Sequence, residues 1–327
     1  VKTPLGRGNR QVTGYCVGIR QSDNPNRRLK PLLEVLDPEP LLSAEMLRLT
    51  EWIATRYLCG WGQVLESVIP AGVKRRAGTR MVQGFLLVQD ATQRLQDLRL
   101  PKGQQAVVDV LKGVNTPMPA AEICERAGCG PGPINGLRRK DLLEVVRVRS
   151  ELTGELMVPA DAEPDLQMNP QQQACLKAIH DAIESRQHRT LLLHGATGSG
   201  KTEVYIQAIR EVVRYGHQAI VLVPEIALTP QTVRRFASRF PGRVAVVHSR
   251  LSDGERYDTW RRARQGLFDI VIGPRSALFT PFENIGVIVV DEEHDASYKH
   301  SPPVPPPYYH ARETAIEIGR RSGAVVI

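Results

Sequence analysis

Cysteine is scarce in this chain and never paired in a metal-binding spacing. The five residues, Cys16, Cys59, Cys124, Cys129 and Cys175, are scattered, odd in number and without a CxxC pair. That pattern supports neither a zinc ribbon nor a disulfide framework, and it reads as reduced, mostly buried thiols. Aromatic residues are also sparse, at 5% of 327 residues. No apolar run approaches the roughly 18 residues of a membrane span, so no membrane partner is expected. No leader peptide is visible. Position 1 is Val1 rather than methionine, and the chain stops on the apolar run Ala324-Val325-Val326-Ile327. We therefore expect a longer protein at both ends.

Charge of one sign is in excess. Lys and Arg number 43 against 35 acids, a formal net charge of +8. A basic balance suits nucleic acid or another anionic surface, although many unrelated enzymes share it.

The texture of the chain changes along its length. Residues 1–100 mix short strand-like runs, such as Gly14–Ile19, with turns, and a helix is expected near Ser43–Tyr57. Ser43 would cap that helix, and Met46, Leu47, Trp52 and Ile53 would give it an apolar stripe. The basic stretch Lys74–Arg80 reads either as a solvated loop or as a phosphate contact. Residues 101–154 read as three helices (Gln104–Leu111, Pro119–Ala127 and Ile134–Lys140) followed by a strand pair that begins at Leu142. This is the order of a winged helix, with Arg138, Arg139 and Lys140 near its groove-facing element. A plain protein-contact module has the same order.

Residues 155–168, polar and proline-bearing, form the expected linker. Residues 169–327 alternate helices with short apolar runs at Leu191–His194, Ala219–Val223, Val244–Val247, Ile270–Ile272 and Val287–Val290. Such a pattern implies a parallel sheet covered on both faces. The fold class expected is multidomain α/β: a β-rich N-terminal domain, a winged helix, then a RecA-like P-loop lobe with a mostly parallel sheet. The run Ser301–Pro307 is expected to be extended polyproline.

One motif names its own chemistry. Gly195-Ala196-Thr197-Gly198-Ser199-Gly200-Lys201-Thr202 is a complete GxxxxGK[ST] phosphate loop, between an expected strand and the helix-forming Glu203–Val213. By chance such a match arises on the order of once in a hundred chains of this length. Unpaired N–H groups of the loop and helix start would cradle phosphates. Lys201 would reach the β- and γ-phosphates of ATP, and Thr202 would ligate Mg2+. A second constellation completes the site. The apolar run Val287–Val290 delivers Asp291-Glu292-Glu293-His294 at the C-terminal end of a strand. Asp291 would hold Mg2+, and Glu292 would orient and deprotonate the attacking water.

The Asp-Glu-x-His form resembles a superfamily 2 helicase lobe. The match narrows through Val223–Gln231, His248-Ser249 with Gly254–Arg256, Gly273–Ala277, Asp291–Lys299 and Tyr309–Arg312. In order and spacing these resemble the PriA family of primosomal replication-restart helicases, and the likeness spans nearly the whole chain. The resemblance implies an ATP-driven 3′-to-5′ DNA helicase of the bacterial cytoplasm, associated with the nucleoid. Such a helicase recognises stalled or branched forks and restarts replication by primosome assembly. Its implied partners are forked DNA, single-stranded-DNA-binding protein and primosome proteins.

Position by position, the resemblance implies that Gln172 reads adenine and that Glu225 and Thr229–Gln231 lie along the translocated strand. Arg275 and Ser276 would face DNA, and His294 would couple hydrolysis to DNA. Tyr298, Tyr308 and Tyr309 would stack on bases in a DNA-sensing loop. Lys30 would serve a 3′-end pocket. Without the resemblance these are a helix-surface glutamine, turn formers, a solvated arginine, a core imidazole and a surface lysine. Two departures stand out: the loop 298–309 carries a proline run and few aromatics, and the pocket's partner aspartate would precede residue 1. The family's zinc module, with its Zn2+, and the second lobe with its arginine finger would follow residue 327. Residues 1–327 alone are accordingly expected to bind ATP and DNA but to hydrolyse ATP poorly. Two other classes stay open: a fork-binding module with a vestigial ATP site, and another P-loop ATPase, against which the Asp-Glu-x-His motif argues.

Overall fold

The computed structural model describes residues 1–21, 29–37, 39–70, 81–88, 91–95, 98–114, 116–149, 166–196 and 198–327. The basic stretch at 74–80, the linker at 155–164 and Thr197 lie outside the described residues. Two compact units form, one from Val1–Arg75 with Thr153–Ile327 and the other from Arg76–Leu152.

The chain opens on an antiparallel hairpin of β1 (Lys2–Leu5) and β2 (Arg10–Thr13), extended by a bridge from Lys2 to Glu34. The strand expected at Gly14–Ile19 does not form. Glycines at both Gly14 and Gly18 weaken it, and Ile19 stands almost fully exposed. Helices α1 (Ala44–Arg56) and α2 (Trp61–Val68) follow. Ser43 caps α1 as expected, its hydroxyl accepting from the Met46 amide at 3.2 Å. The face that α1 buries is Leu49, Thr50, Ile53 and Ala54, so only Ile53 of the expected stripe is fully covered. Trp61 Nε1 donates to Thr50 Oγ1 at 2.9 Å and locks the two helices together.

The smaller unit holds β3 (Met81–Leu87), the short α3 (Ala91–Arg94), α4 (Lys102–Leu111), β4 (Met118–Pro119), α5 (Ala120–Ala127), α6 (Gly132–Arg139) and β5 (Leu143–Arg149). Gly128, at φ 60°, ends α5 in the left-handed conformation that glycine adopts without strain. The three expected helices are present. The strand pairing differs from expectation. β5 finds its partner not in a following strand but in β3, which pairs with it over seven residues, with β4 on the other side of β3. The unit as folded therefore begins near Arg76 rather than at residue 101. Its core is Val107, Val108, Leu111, Ile123, Ile134, Leu137 and Leu142.

The larger unit continues with α7 (Pro170–Glu184), α8 (Lys201–Arg214), β6 (Gln218–Leu222), α9 (Pro230–Arg239), β7 (Val244–Val246), α10 (Asp253–Arg264), β8 (Ile270–Gly273), β9 (Ile285–Val290), α11 (Ala311–Ser322) and β10 (Val325–Val326). The five strands are all parallel, in the order β10-β9-β6-β8-β7. Side-chain alternation sorts their residues onto two faces. Ala219, Val221 and Val223 meet α8 and α9, while Ile220 and Leu222 join the core shared by α1, α2, α10 and α11. Both faces are therefore covered, as a parallel sheet requires. Among the described residues, no helix is long and apolar enough to cross a membrane.

The strand expected at Leu191–His194 is reduced to a single parallel bridge, Thr190 to Val326, with the Leu191 amide donating to the Val326 carbonyl. It runs along the outer side of β10, where Leu192 is exposed. The proline run is also not an extended helix. Residues 301–307 fold into turns, because the loop's ends are tied by a bridge between Lys299 and His310 and by the His300 amide bonding to the Tyr309 carbonyl.

Candidate nucleotide-binding site

Parallel strands deliver their C-terminal ends to one edge of the sheet, and the chemistry-bearing residues collect there. The phosphate loop leaves the extended segment 190–194 and closes on Gly200, whose φ of 84° precedes α8. A side chain at Gly200 is disfavoured by the left-handed backbone, and its Cβ would displace the end of the Gln172 side chain, whose Nε2 stands 2.3 Å away. α8 then begins at Lys201, so the unpaired N–H groups of its first turn point into the loop. Lys201 Nζ donates to the carbonyls of Gly195 (2.7 Å) and Ala196 (3.2 Å), which holds the ammonium at the mouth of the cradle.

Across a cleft of about 370 Å3 stands the acidic turn at the end of β9. Tyr205 bridges the two sides. Its hydroxyl lies 3.2 Å from Thr202 Oγ1 and 3.2 Å from Asp291 Oδ2, so the two expected Mg2+ ligands are no more than two hydrogen bonds apart. Burial raises the Asp291 carboxyl above its ordinary range, and it raises the Tyr205 phenol further. A buried carboxylate beside a hydroxyl, facing a lysine-bearing glycine loop, is a donor set that fits Mg2+ and a triphosphate. The sequence reading missed Tyr205; the signal for it was its place three residues after Thr202 on one helix face.

Beyond Asp291 the backbone turns sharply. Glu292 has φ 49°, a left-handed conformation that costs an L-residue on the order of 1 kcal/mol. Tyr298 donates its hydroxyl to the Asp291 carbonyl at 2.6 Å, and the Asp295 amide donates to the Glu292 carbonyl at 2.9 Å. Glu293 pairs with Arg312 in the first turn of α11. His294 is exposed, with Nε2 3.8 Å from Glu292 Oε2.

The remaining expected site residues divide. Gln172 sits against the phosphate loop, its Nε2 donating to the Ser199 carbonyl at 3.0 Å. Its Oε1 accepts from the Asn169 amide in a capping box, so both ends of the amide are used within the protein. Glu225 and Ser276, in short 3-10 turns, and Thr229 and Gln231, at the start of α9, are exposed at the same sheet edge. Glu225 accepts from the Ser249 amide at 3.0 Å, and its bonds to Ser249 hold its carboxyl below the usual range. Arg275 donates to the Ser297 carbonyl at 2.8 Å, tying this edge to the turn after β9.

Of the three tyrosines expected to stack on bases, Tyr298 and Tyr309 do not present their rings. Both are buried in the apolar core, Tyr298 through its bond to Asp291 and Tyr309 edge-on to Phe279. Only Tyr308 stays part-exposed. The correction has a physical reason: a phenol buries its ring wherever its hydroxyl finds a partner. Ser199, Gly198 and Ala196 are exposed in the phosphate loop, and Gly195 is half-buried. Lys30 bonds to the Gly6 carbonyl and to Asn9 Oδ1, at the β1–β2 turn. Arg138 and Arg139 are exposed at the end of α6, remote from this site in the sequence and in the other unit.

Known proteins resemble this chain over most of its length. Residues 1–70 match the model of the 3′DNA-binding domain (3′BD) of PriA, and residues 165–316 match the model described as type III restriction enzyme, res subunit. The chain is 36% identical over 306 residues to the replication restart protein PriA of Chlamydia pneumoniae, covering 92% of this chain and 40% of that protein. It is 32% identical to the PriA protein of Bacillus subtilis, covering 98% of this chain and 48% of that protein. With the PriA protein of Synechocystis it shares 42% identity over 94% of this chain and 45% of that protein.

The chain belongs to the PriA family.

It spans under half the length of these relatives. A mixed α/β unit with a five-stranded parallel sheet, which carries the phosphate loop, and an N-terminal 3′DNA-binding domain are therefore the family's features present in this chain. Among the described residues, no cluster of His, Cys, Asp and Glu could hold a metal by itself. Mg2+ here would rest on Thr202 and Asp291 together with a bound nucleotide.

Proposed function

We propose that this chain is the DNA-recognition and first ATP-binding part of an ATP-driven 3′-to-5′ DNA helicase that acts at stalled or branched replication forks and helps restart replication. The observation that carries the reading is the bridge formed by Tyr205. It holds Thr202 and Asp291 at one point beside Lys201, in a chain that also matches a 3′DNA-binding domain. Lys201 would turn from its loop carbonyls to the β- and γ-phosphates, with Ser199, Gly198 and Ala196 lending backbone N–H groups. Glu292, fixed in its left-handed turn, would orient water, and His294 beside it would report DNA occupancy. ATP with Mg2+ supplies the driving reaction when bound. Glu225, Thr229, Gln231, Arg275 and Ser276 supply the DNA track at the same edge, with Tyr308 the tyrosine able to stack. Lys30 serves the strand end, and Arg138 and Arg139 the duplex. Partners would be forked DNA, single-stranded-DNA-binding protein and primosome proteins of the bacterial nucleoid.

Among the described residues lining the cleft, Lys201 is the one permanent cation. An additional cation can speed phosphoryl transfer by orders of magnitude, so residues 1–327 alone should bind ATP and turn it over slowly. The decisive test is unwinding of a forked duplex by the full-length gene product. Lys201→Ala should weaken binding of a fluorescent ATP analogue by roughly tenfold or more, the loss of charge-assisted bonds, and should abolish unwinding. A Lys201→Ala protein that unwinds at the wild-type rate would sink the reading.

A further inference from the structure

Glu293 follows the proposed water-orienting residue at the rim of the cleft, and its carboxylate pairs with Arg312 in the first turn of α11. That same turn is gripped from the other side by the N-terminal part of the chain. The Tyr57 hydroxyl, just past the end of α1, accepts from the His310 amide at 3.1 Å and donates to Glu313 Oε2 at 2.9 Å. Arg56 stands 3.5 Å from the same carboxylate. The Lys299 ammonium lies 5.1 Å from the centre of the Tyr57 ring and donates to the Tyr308 carbonyl at 2.6 Å. Burial pushes the Tyr57 hydroxyl up to about 12, so it keeps the proton that it gives to Glu313. Of these residues, Glu293 alone lines the nucleotide cleft.

We propose that Arg312 and Tyr57 are positioning residues for hydrolysis: Arg312 holds the Asp291–Glu293 turn against α11, and Tyr57 holds the start of α11 against the N-terminal DNA-binding segment. The inference rests on the proposed ATPase reading of the cleft. Glu292 sits in a conformation that persists only where its surroundings impose it. The ties that impose it are the Tyr298 hydroxyl on Asp291, the Asp295 amide on Glu292, and the Glu293–Arg312 pair. The Tyr205 hydroxyl on Asp291 Oδ2 ties the turn to α8, and the Glu293–Arg312 pair ties it to α11. The phosphate loop and Lys201 take no part in the latter, so loosening this pair displaces the water-orienting carboxylate while leaving ATP binding intact. Through Tyr57 the framework of the hydrolysis site then includes a residue of the segment that matches the 3′DNA-binding domain.

The test uses single-strand-stimulated ATP hydrolysis by the full-length gene product. Arg312→Gln and Glu293→Gln should each lower kcat about tenfold with KM for ATP within about twofold, since misplacing a catalytic group costs rate rather than ground-state binding. Arg312→Lys should recover part of the rate. Tyr57→Phe should lower kcat about threefold, and Tyr57→Phe with Arg312→Gln should fall less than the product of the two, the mark of residues acting through one path. Amide hydrogen exchange over residues 291–298 should quicken in Arg312→Gln with no change in the phosphate-loop peptides. Wild-type kcat in both Gln variants, or a drop in kcat matched by a rise in KM without rescue by Lys, overturns the proposal. If the wild-type protein hydrolyses no ATP, the ATPase reading fails instead. The exchange experiment then decides for the contact alone: unchanged exchange at 291–298 overturns it.

Discussion

Arg239 and Glu203 are buried opposite each other, their side chains 2% and 4% exposed, and joined by two bonds of 3.2 and 3.1 Å between α9 and α8. Glu203 comes directly after Thr202, so this pair anchors the helix that starts the phosphate cradle. Removing one member leaves the other as a buried charge, and such losses are typically about 3–5 kcal/mol. Arg239→Met should therefore lower stability by roughly that amount, softened by the bond that Gln207 already gives Glu203. Replacing both members, Glu203→Leu with Arg239→Met, should restore most of it. Urea unfolding of the two variants distinguishes these outcomes. Equal stability of the single and double variants would show that desolvation of Glu203 is not the cost. The pair was invisible in the sequence because 36 residues separate its members. Lys201, Thr202 and Asp291 could be proposed from the sequence because the phosphate-loop and acidic-turn motifs are short local patterns. Tyr205, whose hydroxyl lies between Thr202 and Asp291, needed the fold.

At the scale of elements, the loop from Lys299 to His310 shows both what patterning reveals and what it hides. A proline run reads as extended polyproline, but ties at its two ends bend it into turns. His300 is the buried pin of this loop. Its Nδ1 meets the Pro307 carbonyl at 2.6 Å, and its ring lies edge-on to Tyr308 and Tyr309. Burial lowers its pKa below the ordinary 6.5, helped by Arg275 and Lys299. The native state thus takes up the proton less readily than the unfolded chain. The stability that the neutral ring contributes is fully present above about pH 6.5 and is lost as pH falls through the lower folded value. His310, lowered for the same reason, acts in the same direction. Thermal melts at pH 7.5 and 5.5 should show a fall in Tm that His300→Gln reduces; an identical fall in that variant would remove His300 from the account. Helix positions were read well because caps are local, Ser43 at the start of α1 being the plainest case, although the face that α1 buries was not. Strands were read less well. Whether Gly14–Ile19 or Leu142–Val148 forms a ladder depends on a partner elsewhere in the chain, and for β5 that partner precedes all three helices.

For the molecule as a whole, the division into units decides which parts stand alone. Arg76–Leu152 has its own core, with Val107, Val108, Ile123, Leu137 and Leu142 fully or almost fully buried. The parallel sheet is different, because one of its faces is covered partly by residues that precede the smaller unit in sequence. Leu49, Ile53, Val64, Leu65 and Val68 of α1 and α2 share a core with Ile220, Leu222, Ile288 and Val290 of the sheet. Fully burying one such side chain contributes about 1.5–3 kcal/mol, so stripping away five of them costs on the order of the whole stability of an ordinary domain. A protein beginning at residue 166 should therefore bind a hydrophobic dye and melt without cooperativity. Adding residues 39–70 through a flexible linker should restore a cooperative transition, while residues 76–152 alone should melt cooperatively without help. A cooperative melt of 166–327 on its own would show that α10 and α11 suffice to cover that face. The N-terminal segment would then be a passenger on the sheet rather than part of its core.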